Sequence, residues 1–267
     1  MKIKIFTFQQ DEIDILEDWI DYHAYLFGRE NIYVINHQSE KSKELIKNKG
    51  VHLIEFSGPF LEKSRQLTDL MTKNKNSCDI LIPVDVDEFI LKQTEEDISC
   101  EKEEVTRCFG ELGGCGVYKF SSYSVDRHDK DPLTEFTYVD DIPDHGRFER
   151  WKTFWKSNVF IKTDQGNHGF IGPYEKTNLA LLHFHQRGFE HFKRKHLRWP
   201  ISYGKNKPTG NNEHHWEKYY EKIKNMNEEQ MLEYWKTLIL NRGEHNSNRY
   251  QVFKDKIHEI RNSRVES

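Results

Sequence analysis

The first 85 residues alternate short apolar runs with amphipathic stretches, and this alternation constrains the fold more than any other feature of the chain. Lys2–Phe8 alternates apolar and polar residues, as a strand does. It is followed by Ile13, Leu16, Trp19, Ile20 and His23 at three- and four-residue spacing, which predicts a helix starting near Asp11-Glu12. Asn31–Ile35 predicts a second strand, Ser42–Asn48 a helix, and Val51–Phe56 a third strand. Glu62–Lys73 carries Leu67, Leu70 and Met71 on one helical face with Leu61 just before it, and Ile80–Val84 is wholly apolar, the pattern of a strand buried on both faces. The resulting β-α-β-α-β-α-β order predicts an α/β fold with a mixed, mainly parallel sheet flanked by helices. Such sheets bind ligands along the carboxyl ends of their strands.

Beyond residue 90 the pattern loosens. Cys115–Phe120, Phe154–Lys162 and Leu179–His185 are predicted as short strands; from Glu190 onward the chain reads as charged helices around a Gly-, Asn- and Pro-rich loop at 204–212. Aromatic residues make up 13% of the sequence, enough to build a core despite 31% charged residues. With 40 Lys+Arg against 44 Asp+Glu, the balance calls for no nucleic-acid or acidic-membrane partner. No run is long enough to cross a bilayer as a helix, the N-terminus does not resemble a signal peptide, and the expected location is the cytoplasm, peripheral membrane attachment remaining open. Cys78, Cys100, Cys108 and Cys115 form no C-x-x-C pair and are expected to be reduced and structural.

Asp85-Val86-Asp87-Glu88-Phe89 follows the apolar run at 80–84 directly. Two carboxylates about 5 Å apart repel by roughly 3 kcal/mol at an effective dielectric near 20, so three in four residues call for a cation. Oxygen ligands suit Mn²⁺ or Mg²⁺, and in an extended segment Asp85 and Asp87 would share a side. A plain acidic turn is the alternative.

With these motifs the chain resembles the metal-dependent glycosyltransferases of the GT-A fold, close to glycosyl transferase family 2 and family 92. Asp11-Glu12 followed by Trp19-Ile20-Asp21-Tyr22-His23 is similar to the family's opening motif, with Asp11 replacing Asn; Tyr33–Ser39, Gln66 and the complete Asp-x-Asp-Glu-Phe also match. Further likeness lies in Trp151–Lys156, in the turn Gly166-Asn167-His168-Gly169, and in His183-Phe184-His185 with Phe192-Lys193. The resemblance covers about residues 1–200.

It implies a GT-A (Rossmann-like) domain over 1–190, with a nucleotide-sugar half at 1–90 and an acceptor half at 91–190. Residues 191–267 would be a helical extension packed on it. It implies transfer of a sugar from a nucleoside diphosphate sugar, uridine before guanosine, to a saccharide or glycoconjugate acceptor, with inversion and with Mn²⁺ or Mg²⁺ as cofactor. Asp87 is the expected metal ligand, joined by His183 or His185, with His185 preferred. Asp85 would face the ribose or a metal-bound water, with Val86 between the two acids in the nucleotide-sugar site. Phe8, Gln9, Glu12 and Asn36 would flank the nucleotide at the first two strand ends, while Arg65 and Gln66 would reach base or diphosphate. His168 is the expected general base; Asp164, Glu149 and Glu175 are alternatives. Tyr118, Phe120, Tyr123, Trp151 and Trp155 could stack on sugars or build the core, and the basic run Lys193–Arg198 could meet phosphate or lie in solvent. A nucleotidyltransferase fits less well, because residues 8–14 contain no glycine for a phosphate loop. A non-catalytic carbohydrate-binding protein is disfavoured by the intact Asp-x-Asp, and a glycosidase because its two carboxylates must face each other across the sugar, about 5–10 Å apart.

Overall fold

The computed structural model describes residues 1–95, 97–126, 131–136, 138–139, 152–167, 173–198, 215–240 and 247–265. Its first part runs β1 (Ile3–Gln9), α1 (Leu16–Phe27), β2 (Ile32–His37), α2 (Glu40–Asn48), β3 (His52–Phe56), α3 (Lys63–Asn74) and β4 (Ile80–Pro83). There follow β5 (Glu88–Gln93), β6 (Ile98–Ser99), α4 (Lys102–Gly110), β7 (Val117–Asp126), β8 (Tyr138–Val139), β9 (Lys152–Lys156) and β10 (Glu175–Gln186). The remaining helices are α5 (Phe189–Leu197), α6 (His215–Ile223), α7 (Glu228–Leu240) and the C-terminal α8 (Gln251–Val265).

The strands form one mixed sheet in the order β3-β2-β1-β4-β9-β7-β10-β5-β6, with β8 on β7. β3, β2, β1 and β4 are parallel, as the β-α-β alternation predicts, and β7 is parallel to β10. β9 and β5 run antiparallel to their neighbours. The expected mixed α/β sheet with flanking helices is therefore present. Alternation along β1 sends Ile3 and Ile5 into the core under α1, while Phe6 and Phe8 enter the second core with Leu67 and Met71 of α3.

Several expectations shift. Helix α1 starts at Leu16 rather than at Asp11-Glu12, because residues 11–15 form a turn in which Asp11 has φ of 56° and the Leu16 amide donates to the Glu12 carbonyl at 3.0 Å. Ile13 consequently leaves the buried helix face and is 44% exposed. The strand predicted over 154–162 stops at Lys156, where the Ser157 amide donates to the Asp79 carbonyl (2.9 Å) and its hydroxyl to the Cys78 carbonyl (2.7 Å). Strand β5, hidden in the run after the acidic motif, and helix α4 were not expected from the sequence. Tyr118, Phe120, Tyr123 and Trp155 are buried core residues, which removes them as sugar-stacking candidates; Trp151 and the stretch 204–212 lie outside the described residues. All four cysteines are unpaired, and no described helix is long and apolar enough to cross a membrane.

The Trp19-Ile-Asp-Tyr-His23 segment anchors α1 to β5. The Trp19 indole donates to the Glu88 carbonyl (2.9 Å) and the Tyr22 hydroxyl to the Ile90 carbonyl (2.6 Å). His23 donates from Nδ1 to the Trp19 carbonyl at 2.9 Å, while its Nε2 is buried without a partner. Helix α8 grips the outer side of α1: Arg261 donates to Asp18 (2.7 Å) and Asp131, and Arg264 to Asp21 (2.6 Å) and Asp18 (2.8 Å).

Burial pushes the His23 pKa down to about 3. Between the unfolded value near 6.5 and about 3, the unfolded chain takes up this proton and the folded chain does not. The imidazole thus costs stability as pH falls through that window, by up to a few kcal/mol at its acid end. Urea denaturation from pH 7 to pH 4 is expected to show a smaller loss for His23→Phe than for wild type; parallel curves would contradict this.

Candidate metal-binding site

The site is built where β4 ends. Pro83 closes the strand, the Val84 amide still donates to the Phe6 carbonyl (3.0 Å), and residues 85–88 then turn back into β5. The turn is closed twice, by the Glu88 amide on the Asp85 carbonyl (3.0 Å) and by the Asp85 amide on the Glu88 carboxylate (2.8 Å). Asp85 and Asp87 therefore do not share one side of an extended segment, as the sequence suggested. The turn sends them to different partners.

Asp85 receives Lys63 Nζ at 2.6 Å, Lys152 Nζ at 2.8 Å and Asn167 Nδ2 at 3.2 Å. Lys152 also lies 2.8 Å from Glu88, which is fully buried. Burial alone would raise the Asp85 pKa, but Lys152 and Lys63 overcome it and hold the carboxyl well below the usual range. Burial dominates at Glu88 and raises its pKa. The cation demanded by the crowded acids is thus supplied in part by two lysines of the chain itself.

Asp87 turns toward the end of β10. The Phe184 amide donates to the Asp87 carbonyl at 2.7 Å, tying the turn to that strand. On β10, His183 and His185 lie on one face, with Phe184 on the other. His183 Nε2 is 3.5 Å from Asp87 Oδ2, and ligand atoms of Asp87, His183 and His185 all lie within 4.8 Å of one another. Burial opposes ionisation of Asp87, yet His183, with smaller contributions from Lys195 and Arg187, holds its carboxyl low; Asp87 in turn raises His183 against the effect of burial. One carboxylate and two imidazoles are a donor set whose chemistry suits a divalent cation.

A second charged layer backs Asp87. The Arg187 side chain is fully buried and donates to Asp14 (2.8 Å), to Glu12 and to the Phe184 carbonyl (3.2 Å), with Nη1 3.6 Å from Asp87. From α5, Arg194 reaches Asp14 (2.8 Å), and just past the helix Arg198 reaches Glu12 (2.8 Å) and the Gln10 carbonyl. The basic run is thus divided: Lys193 pairs outward with Glu190 and Glu228, whereas Lys195 is close enough to Asp87 for each to feel the other's charge.

The other predicted residues are dispersed. Gln9 and Asn36 are buried and paired, Gln9 Nε2 donating to Asn36 Oδ1 and Asn36 Nδ2 to the Ser39 carbonyl (2.9 Å). Asn36 also lines a cavity of ≈ 360 Å³ with Ser39, Glu55 and Phe56 at the ends of β2 and β3. Phe8 is buried among the rings of His37, Phe56 and Phe60. Glu12 is held by Arg187 and Arg198, Arg65 is exposed and paired with Glu62, Gln66 is half-buried on α3, and Val86 is buried. His168 and Glu149 lie outside the described residues. Asp164 accepts from the Gly166 amide (3.1 Å) and Glu175 from the Gly113 amide (3.2 Å). Lys63, Arg187 and Lys195 had no individual role in the sequence reading. Arg187 carries a usable signal, standing just past His183-Phe-His185, whereas Lys63 is one lysine among many.

No known family model matches this chain, and no curated protein sequence does. Among solved structures, it is similar to a cytidylyltransferase from Leptospira borgpetersenii serovar Hardjo-bovis, at 10% identity and a TM-score of 0.38, over 92% of this chain and 100% of that one. It is similar to S. aureus TarS at 12% identity and a TM-score of 0.40, over 63% of this chain but only 31% of TarS. A third likeness, at 12% identity and a TM-score of 0.37, is to glucosyl-3-phosphoglycerate synthase from Mycobacterium tuberculosis in complex with Mn²⁺, UDP and phosphoglyceric acid, over 76% of this chain and 78% of that one.

Removing Lys152 would leave Glu88 buried without its ammonium and Asp85 with Lys63 as its one remaining ammonium beside the Asn167 amide. Lys152→Met is expected to cost about 3–5 kcal/mol in urea denaturation, with Glu88→Gln on the same background restoring part of the loss. A loss under about 1 kcal/mol would contradict the ion-pair account.

Proposed function

We propose that this chain is a metal-dependent glycosyltransferase of the GT-A type, moving a sugar from a nucleoside diphosphate sugar, uridine before guanosine, to a saccharide acceptor with inversion. The observation that carries this reading is the convergence of Asp87, His183 and His185 within 4.8 Å, just past the carboxyl end of the buried strand β4. A divalent cation held there would supply positive charge to a leaving diphosphate. Lys195, whose charge is felt by Asp87, would add to the positive potential there. Arg187 is engaged by Glu12, Asp14 and the Phe184 carbonyl, so its part is to hold the acidic loop and β10 together beside Asp87.

Asp85 takes a different part from the one its motif suggests. With both oxygens held by lysines, it fixes the turn that aims Asp87, and contact with ribose would require one of them to let go. The Gln9–Asn36 pair and the cavity beside Asn36 are assigned to the nucleotide base. His168 is assigned to take the acceptor proton.

Asp87→Asn is expected to lower release of UDP from a UDP-sugar by about 100-fold or more. It should also abolish the Mn²⁺-dependent rise in melting temperature, which for wild type at 100 times Kd corresponds to about 2.7 kcal/mol. Unchanged turnover in the variant would refute the assignment. Release of pyrophosphate from a nucleoside triphosphate, with none of UDP from nucleotide sugars, would replace it with nucleotidyl transfer.

A further inference from the structure

The residues flanking the proposed metal ligands meet beneath them in one aromatic cluster. Phe89 follows Asp87 by two positions, and Phe184 stands between His183 and His185 on the opposite strand face. The Phe89 and Phe184 rings meet edge to face with centroids 5.4 Å apart. A third ring reaches both: Phe253 of α8 lies 5.4 Å from Phe89 and 5.7 Å from Phe184, stacked on the latter at 28°. Tyr22 closes the cluster at 5.6 Å from Phe253. All four are at most 1% exposed.

The helix that carries Phe253 is firmly fixed. Arg261 and Arg264 fasten it to Asp18 and Asp21 of α1, and Lys254 donates to the Phe136 carbonyl at 2.8 Å, the Phe136 ring lying 5.6 Å from Phe184. The two ligand-bearing segments touch each other through the Phe184 amide on the Asp87 carbonyl and the Phe89–Phe184 ring contact, and Phe253 supports both from below. Metal ligands must be held to within about half an ångström by the packing behind them, and groups supporting a ligand typically change metal affinity by about 10–100-fold.

We propose that the C-terminal helix is an integral part of the metal site, with Phe253 as a positioning residue that sets Asp87 against His183 and His185. The inference rests on the reading of those three residues as metal ligands. Truncating the ring would leave a cavity under both segments, into which Phe89 and Phe184 would relax, spreading the ligands.

The test is Mn²⁺ titration of the full chain, followed by loss of the free-ion paramagnetic resonance signal, for wild type, Asp87→Ala, Phe253→Ala, Phe253→Leu and Ile46→Ala. Ile46 is fully buried on α2, far along the sheet order from β10, and its truncation controls for general destabilisation. At a temperature where all variants keep the wild-type circular dichroism, Phe253→Ala should bind Mn²⁺ about 10–100-fold more weakly, with Phe253→Leu between it and wild type. Ile46→Ala should keep wild-type affinity despite a comparable drop in melting temperature. Equal affinity for wild type and Phe253→Ala, or the same weakening in Ile46→Ala, overturns the proposal. If the alanine variant does not fold, Phe253→Leu against Ile46→Ala decides on the same terms. Wild type that binds no better than Asp87→Ala overturns the metal reading itself, an outcome distinct from wild type and Phe253→Ala binding alike.

Discussion

Three carboxylates within four residues repel one another strongly once partly withdrawn from water, and the structure is arranged around their neutralisation. Lys63 from the start of α3 and Lys152 from β9 converge on Asp85 and Glu88, while His183 and Arg187 from the end of β10 approach Asp87. These groups come from three different parts of the chain, so the turn is compact only when α3, β9 and β10 are all in place. The acidic turn and the sheet order depend on each other: β9 inserts beside β4 and brings Lys152, and β10 pairs with β5 and brings the histidines.

This neutralisation is uneven, and the unevenness divides the labour. Asp85 meets two lysines and an amide, so its charge is absorbed within the protein. Asp87 meets an imidazole at 3.5 Å and a guanidinium nitrogen at 3.6 Å, neither at hydrogen-bond distance. Its side chain keeps 15% exposure, and its remaining demand for positive charge points outward, between two histidines. The Arg187 cluster behind it pairs Glu12 and Asp14 with Arg187, Arg194 and Arg198, leaving one guanidinium charge in excess on the side of Asp87, while burial with Arg187 alongside keeps His191 down at about 4, hence neutral.

The parallel half of the sheet was legible in the sequence because its signals are local: alternation in β1, the apolar run of β4, and 3.6-residue periodicity in α3. The end of β4 and the placing of the His-x-His pair on a strand were legible for the same reason. What could not be read was how Asp-x-Asp folds. An extended segment and a tight turn are both compatible with Asp-Val-Asp-Glu, and the turn wins through contacts with β10, about 100 residues away in the chain. Lys63 and Lys152 escaped for the same reason, since nothing within ten residues of either distinguishes it from a solvated lysine. The start of α1 was placed early because Asp11-Glu12 looks like a helix-opening acidic pair, whereas Glu12 is drawn instead to Arg187 and Arg198. Phe253 lies in the last part of the chain, where the sequence showed amphipathic charge but gave no hint that one ring would reach the centre of the sheet.

The central claim is that Asp87, His183 and His185 together hold a divalent cation. Pulsed paramagnetic resonance of Mn²⁺ bound to protein labelled with ¹⁵N-histidine tests it most directly. Two coupled imidazole nitrogens are predicted, reduced to one in His185→Gln. Bound Mn²⁺ with no histidine nitrogen coupling would contradict the account.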